Sequence, residues 1–368
     1  MSSKQKVAIV FGGVSTEHDV SVVSARSVVR FLDKERFDPV LVAIDKTGSW
    51  YLGNGAFDLL ETGKAAEVKR VILSTDPNNA GFYSPESGDL VRVDAVFPVL
   101  HGPRGEDGTM QGLLELAGIP YVGCDTMSSA IAMDKDMTKR VLAQRGLPVV
   151  KGVCVSKWMW KTDREEVLDE ISESITYPMF IKPATMGSSI GITRAADIDE
   201  MIKGIDDALS YSTKAVVEKA IDKPREIEVA VLGNNEPRAS IPGEIIPCND
   251  YYDFDAKYVN ASSELIIPAV LTRSFIDNIQ FTAVEAFVAI GGCGMARVDF
   301  LLSKDGFFVN EINTIPGFTS ISMYPKLWEA SGIPYSELIT TLIELAFKRH
   351  HQGGELIKTI KLEKGLGV

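Results

Sequence analysis

The sequence predicts an α/β chain of more than one domain, and three observations carry that reading. The first 123 residues alternate strand-like apolar runs with helix-like runs, the pattern of a doubly wound parallel sheet flanked by helices. The 368 residues, 45% hydrophobic and 24% charged, suffice to fill two or three substantial cores. Near the C-terminus, MARVDFLLSKDGFFVNEINTIPG (295–317) reads as two strands joined across Ser303-Lys304-Asp305-Gly306, an Asp-Gly hairpin signal.

Taken in order, KVAIVFGG is a buried strand. A helix follows from near Thr16 to about Leu32, with Asp19 at capping-box spacing. FDPVLVAID is a second strand. Residues 46–90 are polar and punctuated by Gly, Asn and Pro, with little periodicity beyond Trp50-Tyr51. DAVFPVLHG is a third strand, and GTMQGLLELAG a helix ending at Gly118. In such a sheet the functional groups lie on loops at the carboxyl ends of the strands.

A second unit, 124–218, begins with one helix, SSAIAMDKDMTKRVLAQRG; Met133 within it and Met127 just before it read as core. VKGVCVS, a polar helix, the strand YPMFIKP, the loop ATMGSSIGI, a helix near 197–210 and the strand KAVVEKAI complete it. The third unit, 219–368, holds REIEVAVLG, the stretch GEIIPCNDYYDFDAKYVNASS, a helix from Ser274 to Ile290, the hairpin and a helix to His350. The last residues read as a loose tail.

A net charge of −12 and a pI near 5.0 argue against nucleic acid or an anionic membrane as partner. No apolar run is long enough to span a bilayer, and the N-terminus enters a strand without a signal-peptide layout. The four cysteines are scattered, without metal spacing, as reduced thiols in a cytosol would be. A cytoplasmic enzyme or binding protein is expected.

Side chains alternate across a strand, so Arg297 and Asp299 share one face and Glu311 and Asn313 another. Pairing the strands gathers oxygen ligands beside an arginine, a set suited to Mg2+ and substrate phosphates; the alternative is a solvated hairpin face. No Walker A pattern occurs. Instead, the strand bearing Phe180 and Lys182 leads into Gly187-Ser188-Ser189-Ile190-Gly191, a loop able to offer N–H groups and hydroxyls to phosphate. Glu218-Lys219-Ala220-Ile221 ends a strand, where a carboxylate could accept from an adenine amino group. Glu17 follows Gly12-Gly13 at a helix start, a place that suits anions while its own charge suits an ammonium group. His101 closes another strand and could orient a substrate carboxylate. Lys257 and Tyr258 lie in a long polar segment of lid character. Taken singly, each of these reads also as an ordinary turn, loop or surface ion pair.

Together the segments FGGVSTEHDVS, HGPRGEDGTMQG, MDKDMTKR, FIKPATMGSSIG, VVEK, REIE, YYDFDAKY, MARVDF and NEINTIPGFTSISMYP resemble, in order, the D-alanine–D-alanine ligase family of ATP-grasp enzymes, its longer bacterial type. The resemblance implies a three-domain ATP-grasp architecture and the ATP-dependent joining of two D-alanine molecules through an acyl phosphate, for cell-wall precursors. It implies ATP contacts at Lys135, Lys182, Ser188, Ser189, Glu218, Lys219, Ile221 and Glu226, with Phe180, Ala220 and Lys257 beside them. Two Mg2+ ions, replaceable by Mn2+, would sit on Asp299, Glu311 and Asn313, with Glu311 bridging. Glu17 and His101 would meet the first substrate, Arg297 and the backbone of Gly317 the oxyanion, and Ser322 the second carboxylate. Glu17, Ser188 and Tyr258 would hold the lid shut. A homodimer is also implied. The general base is left open, and acceptance of D-lactate or D-serine is the near alternative; a non-catalytic sensor is the distant one.

Overall fold

The computed structural model describes residues 4–246, 264–304 and 306–356, which form three sheets in succession. Lys257 and Tyr258, the expected lid and the expected tail lie outside the described residues. The first sheet comprises β1 (Gln5–Gly12), β2 (Phe37–Ile44), β3 (Trp50–Leu52), β4 (Lys69–Ser74), β5 (Gly81–Tyr83), β6 (Leu90–Arg92) and β7 (Ala95–Val99), in the order β6-β5-β4-β3-β2-β1-β7. Only β1 pairs in parallel, with β2 and β7; from β2 to β6 the pairing is antiparallel. The expected parallel sheet is therefore a mixed one. Its antiparallel half comes from residues 46–90, where β3, β5 and β6 hold three residues each, too few to display an alternation.

From Val7 onward β1 is apolar because both its faces are covered. Val7, Ile9 and Phe11 pack on one side with α1 (His18–Phe31) and the C-terminal helices; Ala8 and Val10 pack on the other with α3 (Thr109–Leu116). Between them α2 (Ala56–Thr62) brings Phe57 onto Phe11, with ring centroids 4.3 Å apart. α1 begins at His18 rather than near Thr16, and its N-cap residue, Glu17, makes no side-chain capping bond. The expected capping box does not form at this end, and the Glu17 carboxylate is turned toward the candidate site.

The single helix expected after residue 124 is two, α4 (Thr126–Met133) and α5 (Lys135–Gln144). Asp134 separates them by accepting the N–H groups of Asp136 and Met137, an N-cap inside the apparent run. Ala132 and Leu142 pack against the third sheet, with Ile227, Val298 and Ile312, rather than in the core of the second. Met127 is exposed, contrary to its reading as core.

The second sheet, β8 (Gly152–Ser156), β9 (Met179–Pro183), β10 (Thr193–Ala195) and β11 (Lys214–Lys219), has the order β10-β9-β11-β8. α6 (Lys157–Thr162), α7 (Arg164–Ser174) and α8 (Ile198–Tyr211) accompany it. Met179, Ile181, Ala215 and Val217 enter its core. By alternation, Phe180, Lys182 and Glu218 face the other way.

The third sheet contains β12 (Arg225–Gly233), β13 (Arg238–Ala239), β14 (Gly243–Ile246), β15 (Glu264–Ile266), β16 (Gly294–Ser303) and β17 (Gly306–Asn313). Their order is β15-β14-β12-β16-β17, with β13 on β12. α9 (Arg273–Ala289) covers one face through Ile279, Ala283, Ala286 and Phe287. The opposite face is divided. Ala230, Leu232 and Met295 join α10 (Met323–Ala330) and α11 (Tyr335–Gly354) in the core shared with the first sheet. Farther along the same strands, Glu226, Glu228 and Asp299 open onto a cleft toward the second sheet. Among the described residues no helix is long and apolar enough to cross a membrane.

Candidate active site

The cleft between the second and third sheets has a volume of about 760 Å3. Phe180 and Lys182 reach it from β9, Glu218 to Ile221 from β11 and the turn beyond, and Glu226 and Glu228 from β12. The hairpin contributes Asp299, Asn310 and Glu311, and Lys135, Gly187 and Ser189 close one end.

One wall is cationic. Lys182 Nζ donates to Glu218 Oε2 at 3.0 Å and to Asn310 Oδ1 at 3.2 Å. Lys139 Nζ lies 2.7 Å from Glu218 Oε1. Lys135 Nζ donates to the Met186 carbonyl at 2.6 Å and lies 3.8 Å from Glu311 Oε2. Burial alone would push the Glu218 carboxyl up, but the Lys139 and Lys182 ammonium groups outweigh it and hold the carboxyl down at about 2. Burial works against the Lys182 charge, and Glu218 more than compensates. Glu218 is thus a buried anion tying two lysines, with lone pairs left for one further donor.

The other wall is acidic and follows the alternation expected of the hairpin. Arg297 pairs with Asn313 and Asp299 with Glu311 in the register of β16 and β17. Arg297 grips Asp299 through two bonds of 2.7 Å and lies 3.0 Å from Glu228 Oε2. Asn313 Nδ2 donates to Asp299 Oδ2 at 3.0 Å. Beyond Asp299 the ladder slips, so that Phe300 faces Val309 and Asn310 is surplus. This bulge turns both Asn310 and Glu311 toward the cleft while Val309 and Ile312 stay in the core.

A corner of the first sheet completes the site. Ser188 Oγ donates to Glu17 Oε1, joining the loop after β9 to the start of α1. Ser188 and Ser189 both adopt left-handed backbone, φ 52° and 58°, at a cost of about 1–3 kcal/mol each, a strain typical of ligand loops. A Cβ on Gly102 would stand 2.6 Å from Glu17 Oε2, so the carboxylate needs a glycine there. Tyr258, the third member of the expected hydrogen-bonded group, lies outside the described residues.

His101 has protein partners on both ring nitrogens. Nδ1 lies 3.0 Å from the Ile315 carbonyl and Nε2 3.2 Å from Ser24 Oγ. Burial holds the ring neutral against the pull of Glu17, so Nδ1 carries the proton and Nε2 accepts from the serine. Glu106 grips the same turn, accepting the N–H groups of Gly102 at 2.7 Å and Ile315 at 3.2 Å. Burial and the nearby Glu17 push its carboxyl up to about 8. His101 and Glu106 therefore clamp the chain that follows Asn313, which makes His101 a positioning group in this geometry. Beyond that turn, a Cβ on Gly317 would meet Ser322 Oγ at 2.9 Å. Ser322 is the N-cap residue of α10, and its hydroxyl accepts from Thr319 N–H at 3.0 Å instead of capping the helix. An anion would be favoured at that helix start.

Sequence reasoning missed Lys139, Asn310, Glu228 and Glu106 as site residues. Glu228 was legible as the alternate partner of Glu226 on one strand, and Lys139 as the residue one helical turn from Lys135. Nothing in the sequence announces the bulge that exposes Asn310.

Comparison with known proteins places the whole chain. Residues 6–124 match the family profile described as the D-ala D-ala ligase N-terminus, and residues 141–344 the D-ala D-ala ligase C-terminus. A D-alanine--D-alanine ligase of Heliobacterium modesticaldum is 48% identical over 353 residues, covering 95% of this chain and 96% of the relative. One from Caldicellulosiruptor bescii is 45% identical, with 98% and 99% covered. The solved D-alanine-D-alanine ligase of Coxiella burnetii superposes with a TM-score of 0.83 at 36% identity, over 96% of this chain and 97% of the other. The VanG D-Ala:D-Ser ligase of Enterococcus faecalis superposes at 0.85 and 37%, over 94% and 100%. Matched along nearly its whole length in sequence and in fold, the chain belongs to the D-alanine–D-alanine ligase family.

Proposed function

We propose that this chain joins two D-alanine molecules into D-alanyl-D-alanine at the expense of ATP, as a step of peptidoglycan precursor synthesis in the cytoplasm, working as a homodimer. The observation that carries the reading is the pair of opposed walls: Lys135 and Lys182 in one cleft with Asp299 and Glu311, and Asn313 bonded to Asp299 at its edge. Nucleotide would lie between them, with its adenine at Glu218 to Ile221 and its phosphates toward Lys182 and the Ser188-Ser189 loop.

The donor set on the acidic wall is carboxylate and amide oxygen, the chemistry Mg2+ prefers, and the hairpin register already brings these groups together. Asp299, Glu311 and Asn313 would hold the ion, which supplies positive charge against phosphate oxygens. This chain's own groups do the rest. Glu17 receives the ammonium group of the first D-alanine, whose carboxylate oxygen attacks the γ-phosphorus as the bond to ADP breaks. Lys182 offsets charge on the phosphoryl group. The amine of the second D-alanine, with its carboxylate at Ser322 and the start of α10, attacks the acyl carbon. Phosphate then leaves, while Arg297 and the Gly317 backbone stabilise the oxyanion.

A second reading, D-serine as acceptor, is favoured by the likeness to the VanG enzyme. One assay tests both. The protein is incubated with ATP, Mg2+ and D-alanine, alone or with D-serine, D-lactate or L-alanine, and products are identified by mass. D-Ala-D-Ala with equal ADP and phosphate is expected; AMP and pyrophosphate would overturn the acyl-phosphate route, and a preference for D-Ala-D-Ser would overturn the acceptor.

A further inference from the structure

We propose that Lys139 is the positioning residue that sets base preference in the nucleotide site, by fixing the Glu218 carboxylate across the gap between the second and third sheets. The inference rests on the nucleotide reading given above. It deepens that reading by assigning a residue that neither the sequence pattern nor the function singles out.

Three observations carry it. First, Lys139 is buried, and its ammonium group ends 2.7 Å from Glu218 Oε1 while Lys182 holds Oε2 at 3.0 Å. An ammonium group against each oxygen, one by a hydrogen bond and one as an ion pair, opposes rotation of the carboxylate and so restricts the direction of its remaining lone pairs. Second, the two lysines have different surroundings. Lys182 also donates to Asn310 and faces the cleft, where phosphate oxygens would compete for it. Lys139 lies behind Glu218, outside the cleft lining. When nucleotide draws on Lys182, Lys139 is the anchor that stays. Third, the pair crosses a structural boundary. α5 carries Lys139 and packs through Leu142 into the core of the third sheet, whereas Glu218 belongs to β11 of the second. One helical turn earlier, Lys135 makes the corresponding reach to Met186 in the loop after β9. α5 is therefore a two-pronged bracket, and the Lys139 prong meets the wall where an exocyclic amine would be read. Adenine offers a donor there; guanine offers a carbonyl, which a fixed carboxylate repels.

The test is steady-state kinetics of wild type, Lys139→Met and Lys139→Arg, with ATP and with GTP, alongside titration with a non-hydrolysable ATP analogue. In Lys139→Met the KM for ATP and the Kd for the analogue should rise by roughly tenfold or more, as expected when one partner of a buried charge pair is truncated. The ATP-over-GTP ratio of kcat/KM should fall in parallel, while the KM for D-alanine changes by less than about twofold. Lys139→Arg, which keeps the charge, should recover most of the preference. Lys139→Gln carries the same expectations should Lys139→Met fail to fold. Unchanged nucleotide affinity and preference in the neutral variants would overturn the proposal. So would equal losses in kcat and in the KM for both substrates, because a merely structural residue behaves that way. Absence of D-alanine ligation by wild type would instead sink the functional reading, leaving the analogue titration to judge Lys139 by itself.

Discussion

The acidic wall of the cleft is built on neighbouring strands of one sheet: Asp299 and Glu311 meet in the register of the hairpin, with Glu226 and Glu228 beside them on β12. The basic wall is gathered from distant segments: Lys135 from a helix, Lys182 from β9 and Glu218 from β11, with Lys139 behind Glu218. They differ in charge balance as well. Glu218 neutralises its lysines from within, at 2.7 and 3.0 Å, whereas the ion pair of Glu311 with Lys135 is stretched to 3.8 Å. The first arrangement is a structural ion-pair network on which the proposed nucleotide site rests. The second sets Glu228, Asp299 and Glu311 around Arg297, which grips Asp299 through two bonds of 2.7 Å. The same kind of substitution should therefore have different consequences on the two sides.

The largest expected effect is on the acidic wall. Glu311→Gln should lower kcat by on the order of a hundredfold or more, the scale of losing one preorganised electrostatic group, and shift the Mg2+ dependence. Its thermal midpoint should fall by less than that of Glu218→Ala, because the amide keeps the size of the side chain and the ion pair it gives up with Lys135 spans 3.8 Å. A loss of stability matching the loss of activity would erase the distinction between the walls.

On the basic wall the order reverses. Glu218→Ala leaves two buried lysines without their shared anion and should cost about 3–5 kcal/mol of stability, read by denaturant unfolding. In the wild type, the Glu218 carboxyl titrates near 2 when folded against an ordinary value of 4.5. Its contribution is thus present above about pH 4.5 and is lost as pH falls toward 2. Glu218→Gln should flatten that part of the acid-unfolding curve. A variant with the wild-type acid profile would mean that the lysines stabilise nothing through this residue.

How much of this was legible follows from locality. The side chains that the hairpin brings together could be placed from the sequence because strand alternation and one turn signal suffice over a short span. The Lys182 strand and the Ser188-Ser189 loop were found the same way. The Lys139–Glu218 pair depends on which sheet α5 packs against, and α5 itself was hidden by reading through Asp134 as if the helix continued. The antiparallel half of the first sheet was hidden for another reason: three-residue strands carry no period. His101 was found as a residue but given a substrate-facing part, whereas its ring is committed to Ile315 and Ser24, contacts between segments far apart in the chain.

Smaller effects sharpen the corner where the first sheet meets both walls. Gly102→Ala adds a Cβ 2.6 Å from Glu17 Oε2 at a left-handed position, φ 75°. The backbone strain alone is about 1–2 kcal/mol, and the displaced carboxylate should raise the KM for the first D-alanine more than that for ATP. Equal changes in both would detach Glu17 from the amino-acid pocket. Ser322→Ala removes the acceptor of the Thr319 N–H and should cost about 0.5–1.5 kcal/mol. That loss should appear as a rise of a few fold in the KM for the acceptor, with ATP unaffected.

The slip in the hairpin ladder has a consequence for how the two walls can diverge. Because Asn310 is surplus, removing it would restore a regular ladder with Asp299 still opposite Glu311 and Phe300 still opposite Val309. What would vanish is the 3.2 Å bond from Lys182. A single codon thus governs whether the third sheet is stitched to the second at this point, while the carboxylate geometry is inherited intact. The carboxylates of the hairpin and the ammonium group of Lys182 can in that sense vary independently.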